Sequence, residues 1–370
     1  MLKSAYAITA IKLFETQRFI EPKIWPALSI IIPACNEGIT IKQSLSTILA
    51  QDYPDMEIIL INDRSTDNTG VIIHEMALID PRIKAVDITN LPDGWLGKVN
   101  ALSVGTKAAS GKWLLFTDAD VNFENGVLKK AIAIAINENC QHLTLSPHIK
   151  FNSFILELAV QTFGILLVSA MKAETIGRPK SKAFIGIGAF NLIEKTFFDT
   201  TEGFEWLRME VCDDLGLGLL VQRHNGKTFF AFSNNDINLT WYDTLWEMVK
   251  GLEKNLFAVS LRYSLLRLIP IVVLFWMFSI APIAGLIYSS NLPYLLPIAL
   301  GAIFSLFLTS YLSKIKLKTH FSTSFFAPIG FIIISLMMLR SGIMCKIRGG
   351  IIWRGTLYEI DKLKAGQRVK

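Results

Sequence analysis

The sequence predicts an α/β fold, a mostly parallel sheet with helices on both faces, followed by a C-terminal helical membrane region. Over the first two thirds of the chain, short apolar β-branched runs alternate with segments of helical spacing, a pattern typical of strands buried on both faces. Long apolar stretches then dominate the last third. The chain has 370 residues, of which 51% are hydrophobic, and its mean hydropathy of +0.41 is high for a soluble protein.

The predicted elements follow one another in order. The predicted strands are 28–33, 57–62, 83–88, 113–117 and 227–233, and the predicted helices are 39–50, one ending near 79, 96–109, 126–137 and 215–226. Residues 184–193 are expected to form two short strands around a glycine-rich loop. That loop either lets the backbone approach a ligand closely or makes a tight bend.

Three polar loops follow predicted strands at their carboxyl ends. They are Asn36-Glu37, Asp63 to Asp67, and Asp118-Ala119-Asp120. Because ligands of parallel sheets bind beyond these strand ends, we expect the loops to form one site. Two carboxylates two residues apart suit Mg2+ or Mn2+, which take one or two carboxylates together with substrate phosphates. The alternative for Asp118 and Asp120 is a plain turn with two acidic residues.

Three apolar stretches in the last third, 268–289, 291–312 and 321–339, have about the ~20 residues that a spanning helix needs. Prolines 270, 282, 293, 297 and 328 are expected to kink them. The lysine-rich segment 314–318 and the basic tail after Leu339 both favour the cytoplasmic side. Three full spans place one of them outside, so either one stretch is re-entrant or interfacial or the tail departs from the rule.

Two further apolar segments are expected to pack or lie flat. Residues 155–173 are interrupted by Glu157, Gln161 and Lys172, which favours a core or interfacial helix over a span. Residues 241–261 are predicted to form an amphipathic helix that either packs on the α/β domain or lies in the headgroup layer. The N-terminal segment lacks a spanning run and a signal-peptide cleavage site, and is compatible with an amphipathic helix on the membrane.

Composition excludes several function classes. The net charge of +6, with basic residues near apolar segments, favours a membrane surface over nucleic acid as a partner. The cysteines at 35, 140, 212 and 345 form no CxxC pair, which fits a reducing compartment and gives no sign of a zinc site. The apolar helices carry almost no charge, which disfavours a transporter.

Five short motifs stand in order along the chain. They are Pro33-Ala-Cys-Asn-Glu37, Asn62-Asp-Arg-Ser-Thr-Asp-Asn-Thr69, Gly97-Lys98 with Asn100-Ala-Leu102, Thr117-Asp-Ala-Asp-Val121 and Asp213-Asp214-x-x-Leu217. In this order they resemble the family 2 glycosyltransferases, which have the nucleotide-sugar-binding A fold, over roughly residues 28–260. Where the family usually has Glu-Asp, this chain has Asp213-Asp214. No clear Gln-x-x-Arg-Trp follows, which argues against a processive polysaccharide synthase.

Two segments carry a narrower resemblance. Pro92-Asp-Gly-Trp-Leu-Gly-Lys98 and Trp353-Arg-Gly-Thr-Leu-Tyr358 are similar to segments of membrane enzymes that glycosylate lipids. These are the hopanoid-associated and carotenoid glycosyltransferases and, more distantly, the ceramide glucosyltransferases. The resemblance therefore implies a lipid acceptor.

The resemblance also implies roles for the motif residues. Asp214 would be the catalytic general base, and Asp120 would bind the Mg2+ or Mn2+. The implied residues for binding a nucleotide sugar, expected to be a UDP-sugar, are Pro33, Ala34, Asn36, Glu37, Asp63, Lys98, Asp118 and Asp213. Without the resemblance, Lys98 is a solvated lysine at a helix start and Asp213 a plain helix N-cap. One base and one direct displacement imply inversion at the sugar carbon.

The sequence therefore predicts a membrane-bound inverting glycosyltransferase with a lipid acceptor and no nucleic acid partner. The expected parts are an amphipathic or interfacial segment (1–27), the catalytic domain (28–262), two to three transmembrane helices (263–345) and a basic tail (346–370). We expect a multi-pass protein of the inner cell membrane, with its catalytic domain facing the cytoplasm. Two alternatives stay open, a polysaccharide-type glycosyltransferase and a non-catalytic membrane scaffold, although a scaffold needs none of Asp118, Asp120 and Asp214.

Overall fold

The computed structural model describes residues 2–369. Its strands are β1 (Leu28–Ala34), β2 (Met56–Asp63), β3 (Ile83–Ile88), β4 (Trp113–Phe116), β5 (Asn122–Phe123), β6 (His142–Ser146), β7 (His148–Ile149), β8 (Asn191–Glu194), β9 (Thr228–Phe232), β10 (Ile237–Leu239), β11 (Gly350–Trp353) and β12 (Thr356–Glu359). Its α-helices are α1 (Leu2–Ala10), α2 (Ile41–Leu49), α3 (Thr69–Ile79), α4 (Gly97–Ala108), α5 (Val127–Asn137), α6 (Phe154–Ala170), α7 (Lys195–Phe198), α8 (Gly203–Leu207), α9 (Asp213–Arg223), α10 (Leu245–Gly251), α11 (Glu253–Asn255), α12 (Leu265–Ile287), α13 (Leu295–Leu317), α14 (Phe321–Phe325), α15 (Ala327–Arg348) and α16 (Ile360–Gly366).

The main sheet has the order β3-β2-β1-β4-β8-β6-β9. Its neighbours are parallel except at β8, which is antiparallel to both β4 and β6. Side chains alternate between the faces of β1: Ile31 packs in the core with α4, whereas Ile30 and Ile32 pack in the core with α2 and α5. Because both faces are covered, the strands are apolar throughout. This confirms the predicted fold class.

Strand order brings the predicted polar loops to one edge of the sheet. β2, β1 and β4 are adjacent and parallel, so their carboxyl ends, and the loops that follow them, lie side by side. β8 runs in the opposite direction, so its amino end enters the sheet from the same edge. The segment before β8 therefore joins the loops of β1, β2 and β4.

The prediction of two strands within residues 184–193 is wrong, because only the segment from Asn191 onward is a strand. The preceding backbone packs against acidic residues instead of pairing with a strand. A Cβ atom at Gly186 would lie 1.9 Å from the backbone oxygen of Asp214, and one at Gly188 would lie 2.6 Å from a carboxylate oxygen of Asp118. Glycine at these two positions thus allows the backbone to lie close against Asp214 and Asp118.

The prediction of one helix over residues 241–261 is also wrong. The helix begins only after Thr244, whose hydroxyl accepts a hydrogen bond from Glu247 N at 3.2 Å, and residues 256–260 are π-helical. Trp241 and Tyr242 precede this cap and stack on each other with ring centroids 5.0 Å apart. Trp241 also packs on Phe163 of α6. These aromatic contacts hold the segment outside the helix.

Within residues 2–369, three helical segments are long and apolar enough to cross a membrane, by length and composition: 265–290, 295–317 and 327–348. Side chains of the first, such as Leu266 and Met277, are largely exposed, and this apolar surface indicates membrane association. The third segment begins later and ends later than the predicted 321–339. Pro328 stands in its first turn, where proline is tolerated, so it starts this helix and does not kink it.

The terminal segments pack against the rest of the protein. Lys316 Nζ donates a hydrogen bond to the backbone oxygen of Thr9, which fixes α1 beside α13. At the other end, the buried carboxylate of Glu210 accepts hydrogen bonds from the backbone N–H groups of Arg368 and Val369 at 2.6 and 2.9 Å. The end of the basic segment, as far as Val369, is thereby docked on the α/β domain. The four-part division of the chain stays a prediction.

Candidate active site

An ion-pair cluster joins α4, the loop after β4 and α9 at the carboxyl edge of the sheet. Lys98 Nζ lies 2.6 Å from Asp118 Oδ1 and 3.5 Å from Asp213 Oδ2. Burial by itself lowers the pKa of Lys98, but the carboxylates of Asp118, Asp213 and Asp214 outweigh burial and raise that pKa above its usual value. Lys98 is therefore a charged centre among carboxylates and not a solvated lysine at a helix start.

Asp214 stands in the first turn of α9 and is oriented by backbone N–H groups. Its Oδ2 accepts a hydrogen bond from Gly188 N at 3.2 Å, and its Oδ1 accepts one from Leu215 N at 2.8 Å. Burial, and then the neighbouring Asp213, raise the pKa of Asp214 to about 6. A carboxylate held in this way accepts a proton at neutral pH more readily than an ordinary aspartate does.

Asp120 lies where negative charge accumulates. Burial, followed by the charges of Asp118 and Glu37, raises the pKa of Asp120 to about 7. A divalent cation would relieve this repulsion, and carboxylate oxygens suit Mg2+ or Mn2+. Within residues 2–369, no three His, Cys, Asp or Glu side chains are grouped to hold a metal ion. Mg2+ typically needs only one or two carboxylates and takes its remaining ligands from substrate phosphates and water, so Asp120 with Asp118 would suit it.

The loops after β1 and β2 are tied to each other. Asn36, in the left-handed backbone region with φ of 58°, accepts a hydrogen bond at Oδ1 from Thr66 N at 2.8 Å. Glu37 N donates to Thr69 Oγ1 at 2.8 Å. Asp63 is held by Arg64, whose Nε lies 2.8 Å from Asp63 Oδ1. These bonds fix the shape of the edge beside the acidic cluster.

All of the site residues predicted from the sequence lie at this edge. Pro33 and Ala34 end β1, and Ala34 is buried, so it presents only its backbone. Gly97 lies close to the end of β2, since a Cβ atom there would lie 2.6 Å from Asp63 Oδ2. The side chain of the next residue, Lys98, reaches Asp118 in the loop after β4. The fold thus brings these positions together.

The glycine-rich segment before β8 supports both acidic positions. Asp118 N donates a hydrogen bond to Gly188 O at 3.1 Å, while Gly188 N donates to Asp214. The sequence left open whether this loop approaches a ligand or makes a bend. In the structure its backbone lies directly against Asp118 and Asp214, which explains the need for glycine.

We predict that Gly186→Ala lowers the free energy of unfolding by about 1–3 kcal/mol, the usual cost of overpacking a filled site. The added methyl group would meet the backbone oxygen of Asp214, which cannot move aside without displacing α9. The measurement is the thermal midpoint of the detergent-purified protein. Gly301→Ala is the matched control, because nothing lies within 4 Å of a Cβ atom at Gly301. A Gly186→Ala protein as stable as Gly301→Ala would contradict the prediction.

A large cavity of about 800 Å3 opens at the acidic cluster and extends among the apolar helices. Asp118, Asp120 and Asp214 line one part of it. Most of its lining is apolar, and α1, α6, α12 and α15 contribute part of it, including Ile8, Leu166, Ile271, Phe275 and Met338. Its size and mixed lining are those of a ligand site. Sequence reasoning did not find it, because its walls come from helices far apart in the chain.

The structure adds residues of the C-terminal hairpin to the edge. The guanidinium group of Arg354 contacts the carboxylate of Glu37, and Gly97 N donates a hydrogen bond to the hydroxyl of Tyr358 at 3.3 Å. In the sequence these two residues contributed only to a resemblance. No local pattern near residue 354 indicates which surface it contacts.

Comparisons with known proteins agree with this architecture. Residues 29–201 match the profile described as "Glycosyl transferase family 2". A 4,4′-diaponeurosporenoate glycosyltransferase of Staphylococcus aureus is 26% identical over 355 residues, covering 91% of this chain and 89% of that protein. A poly-beta-1,6-N-acetyl-D-glucosamine synthase of Staphylococcus epidermidis is 40% identical over 93 residues, covering 25% of this chain and 21% of that protein.

Among solved structures, a mannosyltransferase from Pyrobaculum calidifontis in complex with GDP-Man and Mn2+ has a similar fold. The TM-score is 0.53 at 16% sequence identity, and the match covers 91% of this chain and 94% of the other. This similarity concerns the fold alone.

Proposed function

Since residues 29–201 are a family 2 glycosyltransferase domain and the chain is a glycosyltransferase, we propose that it moves one sugar from a nucleotide sugar to a membrane lipid, with inversion. The observation that carries the lipid acceptor is the cavity of about 800 Å3 that leads from the acidic cluster into the apolar helices. An acceptor that enters it keeps its apolar chain among apolar walls while its polar end reaches Asp214.

The energetics of lipid transfer support this arrangement. Moving an apolar chain into water costs about 0.8 kcal/mol for each CH2 group, so an acceptor lipid reacts most easily where it never leaves an apolar environment. The Staphylococcus aureus relative is named for 4,4′-diaponeurosporenoate, and an apolar acceptor of that kind suits this lining. A polysaccharide acceptor has no comparable use for the cavity.

We assign the donor to the edge formed by the β1, β2 and β4 loops. The backbone of Pro33 and Ala34, with Asn36, Glu37 and Asp63, would hold the base and ribose. Lys98, Asp118 and Asp213 would form the charged floor beside the phosphates. A UDP-sugar is the expected donor; the Pyrobaculum calidifontis structure holds GDP-Man, so both bases belong in the test.

Asp120 is assigned to Mg2+ or Mn2+. When bound, the ion supplies Lewis-acid stabilisation of the leaving diphosphate. The raised pKa of Asp120 reflects the local excess of negative charge that favours a cation. The Mn2+ in the Pyrobaculum calidifontis complex is consistent with this use.

Asp214 is assigned the role of general base. It takes the proton from the acceptor hydroxyl while that oxygen attacks the anomeric carbon, and the bond from that carbon to the phosphate oxygen breaks. The nucleoside diphosphate leaves from the opposite face, so the configuration inverts. Hydrogen bonds from Gly188 N and Leu215 N orient the carboxylate for this transfer.

We propose an inner-membrane protein with the α/β domain in the cytoplasm. Lys318 Nζ lies 2.8 Å from Asn235 Oδ1, and Arg340 and Arg348 both pair with Glu253. Both basic segments thus lie beside the α/β domain, as the positive-inside tendency favours for a cytoplasmic domain.

The same contacts favour two crossing helices, α12 and α13. In an 18-residue apolar stretch of α15, half of the residues are buried inside the protein, whereas in the corresponding stretch of α12 the share is 11%. His320, just before α14, contacts Glu157, and Arg348, the last residue of α15, contacts Glu253, so both ends of this segment touch side chains of the α/β region. An interfacial or re-entrant α15 accounts for both observations.

The test of the proposed function is a panel of UDP- and GDP-sugars incubated with the detergent-purified protein, with and without Mg2+ or Mn2+. Metal-dependent release of nucleoside diphosphate from one donor, increased by total membrane lipid, is the expected result. If no donor is bound or consumed even with lipid present, the protein is a scaffold that retains the fold.

We predict that Gly164→Trp lowers sugar transfer to lipid by about 10-fold or more while donor hydrolysis without lipid is unchanged. Gly164 lines the cavity, and nothing lies within 4 Å of a Cβ atom there, so an indole enters open space. Displacing two CH2 groups of the acceptor costs about 1.6 kcal/mol, which corresponds to about 10-fold. Gly164→Ala is the control. Unchanged transfer in Gly164→Trp would exclude this cavity as the acceptor site.

A further inference from the structure

The hairpin β11–β12 presents an arginine at its tip. The strands pair from Gly350 with Glu359 to Trp353 with Thr356, which leaves Arg354 and Gly355 as the two turn residues. Their φ angles are +47° and +79°, the signs that a tight two-residue hairpin turn requires. The turn projects the Arg354 side chain beyond the sheet, where it is 47% exposed.

The hairpin lies across the loops that we assign to the donor. Arg354 contacts Glu37 in the loop after β1. Tyr358, on the inner face of β12, accepts a hydrogen bond from Gly97 N at the start of α4. The ring of Trp353 lies 3.4 Å from Lys254 Nζ. One hairpin thus touches separate segments of the α/β region, although it follows the last apolar helix.

Of the three cations Lys98, Arg64 and Arg354, Arg354 is the most exposed and therefore the most available for a ligand. Lys98 is engaged by Asp118 and Asp213, and Arg64 holds both oxygens of Asp63; each of these side chains is 25% exposed. Arg354 is nearly twice as exposed, and it contacts a carboxylate that adds to the excess negative charge around Asp120. A planar guanidinium group pairs with phosphate through two parallel hydrogen bonds.

We propose that Arg354 binds the diphosphate of the donor, exchanging Glu37 for phosphate oxygens when the nucleotide arrives. The hairpin then forms a wall of the donor pocket, and a residue of the C-terminal segment completes a site otherwise built from the α/β domain. No covalent bond is made or broken in this exchange. The inference rests on the proposed function, because it requires that a nucleotide sugar binds at this edge.

The experiment compares the binding of UDP, GDP and their nucleosides uridine and guanosine, each with Mg2+ or Mn2+, to the full-length protein in detergent. Arg354→Ala is expected to raise the Kd of the preferred nucleotide by about 10- to 100-fold, the range of a hydrogen-bonded charge contact. The Kd of the matching nucleoside should not change. The Kd of Arg354→Lys should lie between those of the unaltered protein and Arg354→Ala, since lysine keeps the charge but lacks the paired donors of the planar guanidinium group.

The control is Lys362→Ala, which removes an exposed cation of the same C-terminal segment that pairs with Glu359; its nucleotide affinity should equal that of the unaltered protein. Equal weakening of nucleotide and nucleoside by Arg354→Ala would overturn the inference and make the hairpin a mere support for the loops. If Arg354→Ala does not fold, unaltered UDP and GDP affinity in Arg354→Lys overturns the inference. If the unaltered protein binds neither nucleotide, the proposed donor site itself fails.

Discussion

Replacing Asp214 with asparagine is expected to lower the turnover number by about 10²–10⁴-fold, the usual contribution of a positioned general base. The amide keeps the size of the side chain and an acceptor for one of the two N–H groups, that of Gly188 or that of Leu215, but it cannot take up the proton of the acceptor hydroxyl. The measurement is sugar transfer to lipid at saturating donor. Donor affinity should change little, because the lost step belongs to the transition state.

The pH dependence provides a second readout for Asp214. A general base acts in its deprotonated form, and burial followed by Asp213 raises the pKa of Asp214 to about 6. Transfer by the unaltered protein should therefore fall as the pH drops below about 6 and level off above it. Asp214→Asn should lose this acidic limb. Asp199→Asn is the matched control, since Asp199 is an exposed partner of Lys195 far from the cluster. If Asp214→Asn keeps the transfer rate of the unaltered protein and the same fall at acidic pH, another residue is the general base.

Replacing Asp120 with asparagine, or removing divalent metal with a chelator, is expected to lower transfer by about 10²–10³-fold, since stabilising the leaving diphosphate is worth several kcal/mol. Excess Mn2+ should restore the chelated protein fully and the variant only in part. Donor affinity measured with metal should also weaken in the variant. This separates Asp120 from Asp214, whose replacement leaves donor affinity intact.

Metal affinity should also depend on pH. Burial and the charges of Asp118 and Glu37 raise the pKa of Asp120 to about 7 without metal, so protons compete with the cation below that pH. The metal concentration for half-maximal transfer should therefore rise as the pH falls from 8 to 6, a range of about one unit either side of that pKa. Asp52→Asn, which removes a carboxylate that is 91% exposed, is the control. An Asp120→Asn protein with undiminished metal-dependent transfer would show that the cation binds elsewhere.

These two variants test parts of the site that the sequence could identify because their positions follow from local patterns. A strand that is apolar throughout is buried on both faces, and the polar residues after it stand at the carboxyl edge of a parallel sheet. Asp118 and Asp120 follow β4, and Asn36 and Glu37 follow β1. The order of the motifs then indicated the enzyme class, which the comparisons confirm.

Local pattern was a poorer guide where packing competes with periodicity. The amphipathic spacing of residues 241–261 suggested one helix, but stacking of Trp241 on Tyr242 and contact with α6 hold the first residues outside it. Residues 184–193 suggested two short strands around a glycine-rich loop, whereas the backbone there lies against Asp118 and Asp214. In both segments a tertiary contact overrides a local preference.

The sequence by itself determined the alternation of strands and helices, the acidic loops at one edge of the sheet and the presence of apolar helices, because each depends on residues close together in the chain. The tertiary structure alone decided where the acceptor cavity runs and which residues from elsewhere reach the donor edge. Arg354 and Glu37 are 317 residues apart, and α1, α6, α12 and α15 each contribute to the wall of the cavity. Such contacts depend on how distant elements pack, for which the local pattern of side chains carries no signal.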